Sequence, residues 1–162
     1  MKYQKFLETK RIAAIPTGRV ETKDVINPIL FEFQKDIVLW ALRKGRAAIF
    51  ADTGLGKTFM QLEWARLTEG RSLIIAPLSV ARQTVREAAK LGLVVDYVRK
   101  QSEVTSELSI TNYEMIDNFD FSQFGAVVLD ESSILKAIGG KTRKRLTELC
   151  AKVPYRDRKS VV

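Results

Sequence analysis

The chain has 162 residues, of which 46% are hydrophobic and 28% charged, proportions that are typical of one soluble globular domain. It contains no histidine and one cysteine, which excludes a Ser-His-Asp triad, an intrachain disulfide and a cysteine-cluster metal site. No apolar run approaches the roughly 20 residues of a membrane-spanning helix, and the amino terminus lacks an apolar signal core. We therefore expect a cytoplasmic protein without membrane contact.

The net charge of +8 is concentrated at the two ends of the chain. Residues 1–46 carry ten Lys and Arg against five Asp and Glu, and residues 136–162 carry nine against two. The middle, residues 47–135, is acidic, with eight basic against twelve acidic residues. Basic ends favour an anionic polymer as partner, although a solvated basic surface would explain the same charges.

The first clear element in the chain is a helix that follows Pro28, a residue suited to a first helical position. Apolar residues recur at helical spacing as far as Gly45, which should end the helix; they are Ile29, Leu30, Phe33, Ile37, Trp40 and Ala41. The apolar stretch 47–50 then predicts a strand, and helical spacing returns after residue 58.

A glycine-rich turn, residues 51–58, joins that strand to that helix with the sequence Ala-Asp-Thr-Gly-Leu-Gly-Lys-Thr. This arrangement predicts a phosphate-binding loop, in which Lys57 reaches the β- and γ-phosphates and Thr58 ligates Mg²⁺. Ala51 stands where the usual pattern has its first glycine, and a chance turn is the alternative. The loop residues expected to bind the nucleotide are Thr53, Gly54, Leu55, Gly56, Lys57 and Thr58.

Short apolar runs after the loop alternate with helical stretches. Strands are predicted over 72–76, 93–98, 108–111 and 126–129, with a helix from Ser79, as its cap, to about Lys90 and a helical turn at 113–116. Such alternation predicts an α/β fold with a parallel sheet and right-handed crossovers in a single domain.

Two adjacent acids, Asp130 and Glu131, follow the last predicted strand. Ligands of open parallel sheets bind at the carboxyl ends of the strands, where the glycine-rich loop also lies. We expect Asp130 to join the Mg²⁺ shell, through water, and Glu131 to orient and deprotonate the attacking water. An acidic cap on the next helix is the alternative.

Residues 51–58 and the run Asp130-Glu131-Ser132-Ser133 together resemble motifs I and II of the superfamily 2 helicases and translocases. The group that the chain resembles most is the DNA translocases of the chromatin-remodeller (Snf) type, in a phage- or bacteria-like form. Four further stretches occur in the family's order. Phe33-Gln34, 23 residues before Lys57, resembles the adenine-reading Q motif; 76–80 resembles motif Ia, 110–114 a further nucleic-acid motif, and 140–143 the segment before motif III.

The resemblance implies a RecA-like phosphate-loop NTPase lobe over residues 1–155, with ATP and Mg²⁺ as cofactors. Lys57, Asp130 and Glu131 would be its catalytic residues, and Gln34 would bind adenine beside Phe31 or Lys35. Contacts with DNA, or with RNA, would come from Pro77, Leu78, Ser79, Thr111, Asn112 and Tyr113. Each of these weaker matches has a plain alternative. Gln34 would be a surface helix residue, residues 77–79 a strand stop with a helix cap, and residues 111–113 a capped turn. The basic residues of 141–145 would form a solvated helix face.

In the family a second RecA-like lobe supplies an arginine finger, and the resemblance implies that this lobe is missing from the chain. Residues 156–162 do not look like the strand expected next, so we expect a non-native or disordered tail. Without the finger we expect nucleotide binding, at most feeble hydrolysis and no strand separation. The cut would leave a gap in the sheet, through whose exposed edge two copies could pair as a homodimer.

Two other classes of function stay open: a nucleic-acid-binding module with a vestigial nucleotide site, and a different phosphate-loop ATPase. The intact loop and acids argue against the first, and the Gln34 spacing and Pro77-Leu78-Ser79 argue against the second. Loss of nucleotide binding in Lys57→Ala would exclude the first, and an ATP preference lost in Gln34→Ala would exclude the second.

Overall fold

A computed structural model describes residues 16–130, 140–151 and 153–160 of the chain. The described part contains four α-helices, which are α1 (Glu32–Lys44), α2 (Lys57–Leu67), α3 (Leu78–Lys90) and α4 (Gly140–Cys150). It also contains six strands, which are β1 (Arg46–Phe50), β2 (Ser72–Ala76), β3 (Asp96–Tyr97), β4 (Leu108–Asn112), β5 (Ala126–Leu129) and β6 (Tyr155–Ser160). Glu131 lies outside the described residues.

All six strands belong to one parallel sheet with the order β1-β6-β5-β2-β4-β3. The predicted α/β class and parallel sheet are therefore confirmed. Because every strand points the same way, the ends of β1 and β5 lie on the same edge of the sheet, with β6 between them. Two strand spacings of about 4.8 Å place those ends about 10 Å apart.

The two faces of the sheet carry different cores, because successive residues of a strand point to opposite sides. Helices α1, α2 and α3 cover one face, here called the helix face, which buries Ile74, Ile110 and Val128. The other face, here called the aromatic face, buries Leu73, Ile75, Val127, Phe119, Phe121, Phe124 and Leu146. Short 3₁₀ turns at Tyr113–Asn118 and Phe121–Gln123 supply part of that second core.

Residues 155–160 lie inside the sheet, whereas the sequence predicts a tail from residue 156 onward. Strand β6 pairs in parallel with β1 on one side and with β5 on the other. Backbone groups form this pairing, so a polar sequence can occupy the position. Residues 156–160 therefore form part of a strand and not a disordered tail, whereas the expected non-native origin of this segment stays a prediction. Residues 161–162 lie outside the described part. Strand β6 occupies the position between β1 and β5 where a gap was expected, and the homodimer stays a prediction.

The helix after Pro28 begins four residues later than the pattern predicts. The Asn27 side chain accepts a hydrogen bond from the Ile29 N–H at 3.1 Å, and the Leu30 N–H donates to the Asn27 carbonyl at 3.1 Å. These bonds close a turn over residues 27–30, so that α1 starts at Glu32. It ends at Lys44 before Gly45, as predicted.

Two other boundaries also differ from the prediction. Helix α3 begins at Leu78 with Pro77 as its N-cap, and no side chain caps it, so Ser79 is not the cap that the sequence predicted. Strand β3 covers only 96–97 of the predicted 93–98, because the Leu93 N–H still donates to the Ala88 carbonyl at the end of α3.

Among the described residues, no helix has both the length and the apolar character needed to cross a bilayer.

Candidate nucleotide-binding site

The glycine-rich loop connects β1 directly to α2 at the carboxyl edge of the sheet. Gly56, the residue before α2, has a φ of 70° and a ψ of 35°, in the left-handed region. A Cβ at this position would lie 2.3 Å from the Gln34 Nε2 atom, which is closer than real Cβ contacts come. Glycine alone combines this backbone conformation with so close an approach to α1.

The Lys57 ammonium points back over the loop, and its reach to the β- and γ-phosphates stays a prediction. Its Nζ donates to the Ala51 carbonyl at 2.7 Å and to the Asp52 carbonyl at 2.8 Å. An ammonium has three donors, so one N–H remains for a phosphate oxygen in this conformation. The two carbonyls hold the charge at the loop without neutralising it.

Thr58 lies in the first turn of α2, where the helix dipole favours an anion. The N–H groups of Phe59 and Met60 donate to the Gly56 carbonyl at 3.0 and 3.2 Å. The first N–H groups of an α-helix have no carbonyl group one turn earlier in the helix to accept their hydrogen bonds. This end of the helix is therefore suitable for phosphate. Lys57 and Thr58 both lie in this first turn, and their binding of phosphate and Mg²⁺ stays a prediction.

Asp52 is a loop residue to which sequence reasoning assigned no role. Its Oδ1 accepts a hydrogen bond from the Thr53 N–H at 2.7 Å. The carboxylate therefore fixes the loop backbone, but it also uses a donor that could face a phosphate and adds a negative charge beside the site. Nothing in the sequence pattern distinguishes this intraloop contact from an exposed aspartate.

Gln34 lies against the loop, with 3% of its surface exposed. Its Oε1 accepts from the Phe31 N–H at 2.9 Å, and its Nε2 donates to the Leu55 carbonyl at 3.0 Å. One N–H and one lone pair of the amide are not used by these two bonds. Gln34 therefore connects the start of α1 to the loop, and its contact with adenine stays a prediction.

The residues around Gln34 include two exposed aromatic rings. Phe31 and Phe33 are 68% and 44% exposed, and their rings stack with centroids 6.1 Å apart and an interplanar angle of 10°. Lys35, which the sequence suggested as a neighbour of the base, instead donates to Glu32 Oε1 at 2.8 Å. Hydrogen bonds from Lys35 and Lys23 lower the pKa of the Glu32 carboxyl.

Asp130 directly follows β5 at the same edge of the sheet, and only 1% of it is exposed. Its N–H donates to the Ile75 carbonyl at 2.8 Å, and its own carbonyl accepts from the Tyr113 hydroxyl at 2.6 Å. The backbone at Asp130 is therefore anchored from both β2 and the turn after β4. Glu131, the predicted general base, lies outside the described residues.

The donor set predicted for Mg²⁺ fits that ion in its chemistry. Mg²⁺ prefers hard oxygen ligands and keeps several waters, so one hydroxyl, one carboxylate and phosphate oxygens suffice. Thr58 and Asp130 supply the hydroxyl and the carboxylate at one edge of the sheet. The described residues contain no cluster of three or more His, Cys, Asp or Glu side chains, so the nucleotide would have to complete the site.

The structure buries all three residues of the second predicted nucleic-acid stretch. Thr111, Asn112 and Tyr113 are 0%, 5% and 4% exposed. Asn112 accepts from the Tyr97 hydroxyl at 3.3 Å and donates to Glu114, so its amide bonds within the protein. Burial keeps these side chains away from the surface in this conformation, and the Tyr113 hydroxyl donates to the Asp130 carbonyl. Contact of this stretch with a nucleic acid stays a prediction.

The first predicted nucleic-acid stretch, by contrast, lies at the surface. Leu78 is 48% exposed, Ser79 is exposed and Pro77 is half-buried. These residues begin α3 at the same edge of the sheet as the loop. Their contact with nucleic acid stays a prediction that the geometry permits.

A cleft of about 400 Å³ opens between the loop and α3. Its lining combines the loop and the start of α2 with polar residues of α3: Thr53, Gly54, Gly56, Lys57, Thr58, Phe59, Gln83, Glu87 and Lys90. A larger cavity of about 510 Å³ is lined by residues near the end of α2 and the starts of β2 and β4, and by none of the predicted site residues. The smaller cleft is therefore the candidate site, and its volume suits a small ligand.

No protein-family model matches the chain, and no curated protein matches it. Solved structures do match. The UvsW helicase from bacteriophage T4 superposes with a TM-score of 0.69 at 20% identity, over 98% of this chain and 59% of that chain. The Hef helicase domain of Pyrococcus furiosus gives 0.62 at 17% identity, over 89% and 34%. A hypothetical ATP-dependent RNA helicase from Sulfolobus tokodaii gives 0.57 at 15%, over 98% and 49%.

At these identities the likeness shows the fold, which is the RecA-like fold of helicases. The chain spans 59% of the T4 helicase structure and less of the other two, so it corresponds to part of each of these proteins. The predicted fold class is confirmed at this level.

Proposed function

We propose that this chain is the ATP-binding lobe of a helicase-type enzyme, in which Mg-ATP hydrolysis drives movement along nucleic acid. One observation carries the proposal: Lys57, the first turn of α2 and Asp130 converge on one edge of a parallel sheet. The helicase fold of the similar structures supports it.

The predicted site residues would have different roles in binding and hydrolysing the nucleotide. Lys57 would donate its remaining N–H to a β- or γ-phosphate oxygen, and the first turn of α2 would face the same charges. Thr58 and Asp130 would hold Mg²⁺, which when bound supplies charge neutralisation on the phosphates. Glu131 would accept the proton of the water that attacks the γ-phosphorus, with ADP as the leaving group.

The base would lie on the side of the loop where Gln34 is held. Phe31, whose backbone N–H donates to the Gln34 amide, has an exposed ring, and aromatic rings stack on any base. The unused N–H and lone pair of Gln34 match a donor–acceptor edge such as that of adenine. We therefore expect a preference for ATP over GTP.

For the polymer, we propose duplex DNA and a translocase of the chromatin-remodeller type, with single strands and RNA as alternatives to be tested. The exposed start of α3 continues into a basic stripe of Arg82, Arg86 and Lys90, spaced four residues apart and all exposed. Such a stripe suits a phosphate backbone. A second RecA-like lobe would complete the nucleotide site, so hydrolysis by this chain alone should be slow.

Calorimetric titration with Mg-ATP and Mg-GTP tests the nucleotide site directly. We expect measurable binding that prefers ATP, and a loss of about 10- to 100-fold in Lys57→Ala, the cost of one or two charge-assisted hydrogen bonds. Lys100→Ala, which removes an exposed lysine away from the cleft, is the matched control. Binding that is equal in Lys57→Ala and the wild type would show a vestigial site and overturn the proposal.

Fluorescence anisotropy with labelled duplex and single-stranded DNA tests the polymer. Arg86→Ala should weaken binding and reduce the dependence of log K on log salt by about one unit, because one phosphate contact is lost. Lys57→Ala should leave DNA binding unchanged. Equal DNA binding by Arg86→Ala and the wild type would remove α3 from the proposed surface.

A further inference from the structure

A buried carboxylate on α2 holds the chain segment that leads to Gln34. Glu63 is 0% exposed, and its Oε1 accepts from the backbone N–H of Asn27 at 2.7 Å. Arg66 donates to the same carboxylate twice, from Nε at 3.0 Å and from Nη2 at 2.6 Å. The Arg66 Nη2 also donates to the Val25 carbonyl at 2.7 Å. Glu63 and Arg66 together therefore fix residues 25–27 to α2.

The same segment has a second attachment, to the end of α3. The Asn27 Nδ2 donates to the Leu91 carbonyl at 2.9 Å. Asn27 thus uses its backbone to contact α2, one side-chain atom to contact α3, and its Oδ1 to close the turn before α1. This residue sets where the chain enters α1.

Two polar attachments then connect the α1 region to the α2 region. The first is the Asn27–Glu63 bond, and the second is the Gln34–Leu55 bond at the loop. Only seven residues of chain separate Asn27 from Gln34, and eight separate Leu55 from Glu63. Both connecting segments contain turns and helix held by backbone bonds, so we expect a shift at Glu63 to reach the contact between Gln34 and the loop.

A carboxylate with no exposed surface is costly unless its oxygens are fully hydrogen-bonded, and an apolar pair of similar size often gives equal stability. Stability alone therefore does not require Glu63. The hydrogen bonds to Glu63 also raise the pKa of the Arg66 guanidinium. What an apolar pair could not supply is the directional bond to the Asn27 N–H.

We propose that Glu63 is a positioning residue for the nucleotide site, which fixes the register between α1 and α2 and so holds the Gln34 amide against the phosphate loop. The consequence for ligand selectivity rests on the proposed nucleotide-binding function. Glu63 does not touch the nucleotide; it acts through Asn27 and Gln34. Its loss should lower the preference for an adenine nucleotide more than it lowers affinity for the phosphates.

The test compares Glu63→Gln, which keeps an acceptor but loses the charge that holds Arg66, with the wild-type chain. The matched control is Val153→Ala, which removes a buried apolar group from the aromatic face, on the other side of the sheet. The first readout needs no nucleotide: amide hydrogen exchange at residues 31–34 and 51–56. We expect at least fivefold faster exchange at both segments in Glu63→Gln and no such change in Val153→Ala.

The second readout is the ratio of ATP to GTP affinity from calorimetry, which should fall at least fivefold in Glu63→Gln and stay unchanged in Val153→Ala. Arg66→Lys, at a partly exposed position, should shift both readouts in the same direction by a smaller factor, and serves if Glu63→Gln does not fold. If the wild type binds neither nucleotide, the proposed function fails while the exchange readout still decides the role of Glu63. Unchanged exchange at 31–34 and 51–56 would overturn the proposal.

Discussion

The two faces of the sheet hold their site residues by different means. On the helix face, Gln34, Lys57 and Glu63 are fixed by hydrogen bonds between side chains and backbone groups of other segments. On the aromatic face, the segment that anchors Asp130 rests on packed rings, and the Tyr113 hydroxyl donates to the Asp130 carbonyl. The nucleotide loop therefore depends on a polar network, and the carboxylate depends on an apolar core.

Because of this difference, the stability of the fold and its affinity for ligand, which one mutation often changes together, should respond to different mutations. A hydrogen bond contributes only about 0.5–1.5 kcal/mol of net stability, but it fixes the distance between its two atoms to within a few tenths of an ångström. A buried aromatic ring contributes several kcal/mol but little direction. Changes on the helix face should therefore alter ligand binding more than folding, and changes on the aromatic face should do the reverse.

The largest expected effect comes from Phe124→Ala on the aromatic face. Phe124 is 2% exposed and makes edge-on contacts with Phe119 and Phe121, with centroids 6.4 and 6.5 Å away. Removing the ring should lower the free energy of unfolding by about 3–5 kcal/mol in urea denaturation. The affinity of the folded fraction for Mg-ATP should change less than threefold.

Phe50→Ala is the control for this variant, because Phe50 is 59% exposed on the outer strand β1. It should change the free energy of unfolding by less than about 0.5 kcal/mol. A large loss of nucleotide affinity in folded Phe124→Ala would contradict the separation between the two faces.

The parts of the fold that the sequence predicts well are those coded locally. Continuous apolar runs predict strands over 72–76 and 126–129, and the structure has strands with the same bounds. A strand that is buried on both faces needs such a run. The loop was likewise predictable, since a turn with two glycines between a strand and a helix has few other uses. Gly56 and Lys57 lie where the pattern placed them.

The features that the sequence did not predict depend on partners distant in the chain. Strand β6 carries a polar sequence, and only its pairing with β1 and β5 places it inside the sheet. In the sequence Glu63 is an ordinary helix residue. Its role depends on the hydrogen bond from the N–H of Asn27, which lies 36 positions earlier in the chain. Burial of Thr111 and Asn112 likewise follows from their pairing with β2, which no local pattern reports.

Gly56→Ala should have the next largest effect, this time on binding. The added Cβ would meet the Gln34 Nε2 at 2.3 Å, and alanine would be strained at a φ of 70°. We expect about 1–3 kcal/mol of destabilisation in thermal unfolding and at least a tenfold loss of Mg-ATP affinity. Gly54→Ala is the matched control, since its φ is 84° but no atom lies within 4 Å of the added Cβ. Equal losses of affinity in both variants would show that strain alone, and not the contact with Gln34, shapes the loop.

The smallest effect, and the one that joins the two faces, is expected for Tyr113→Phe. This change removes the hydroxyl that donates to the Asp130 carbonyl at 2.6 Å and leaves the ring in its core. Stability should fall by about 0.5–1.5 kcal/mol, the net value of one buried hydrogen bond. If Asp130 holds Mg²⁺, the looser backbone should raise the Mg²⁺ concentration needed for half-maximal ATP binding, while binding in the presence of EDTA stays unchanged.

Tyr97→Phe provides the comparison for that measurement. It removes a longer hydroxyl bond, at 3.3 Å to Asn112, one strand further from the acidic end of β5. Because this bond does not reach Asp130, the Mg²⁺ dependence of Tyr97→Phe should match that of the wild type. A shared shift in both variants would mean that general packing around β4 tunes the site. A shift confined to Tyr113→Phe would make its hydroxyl the specific connection between the apolar core and the metal-binding edge.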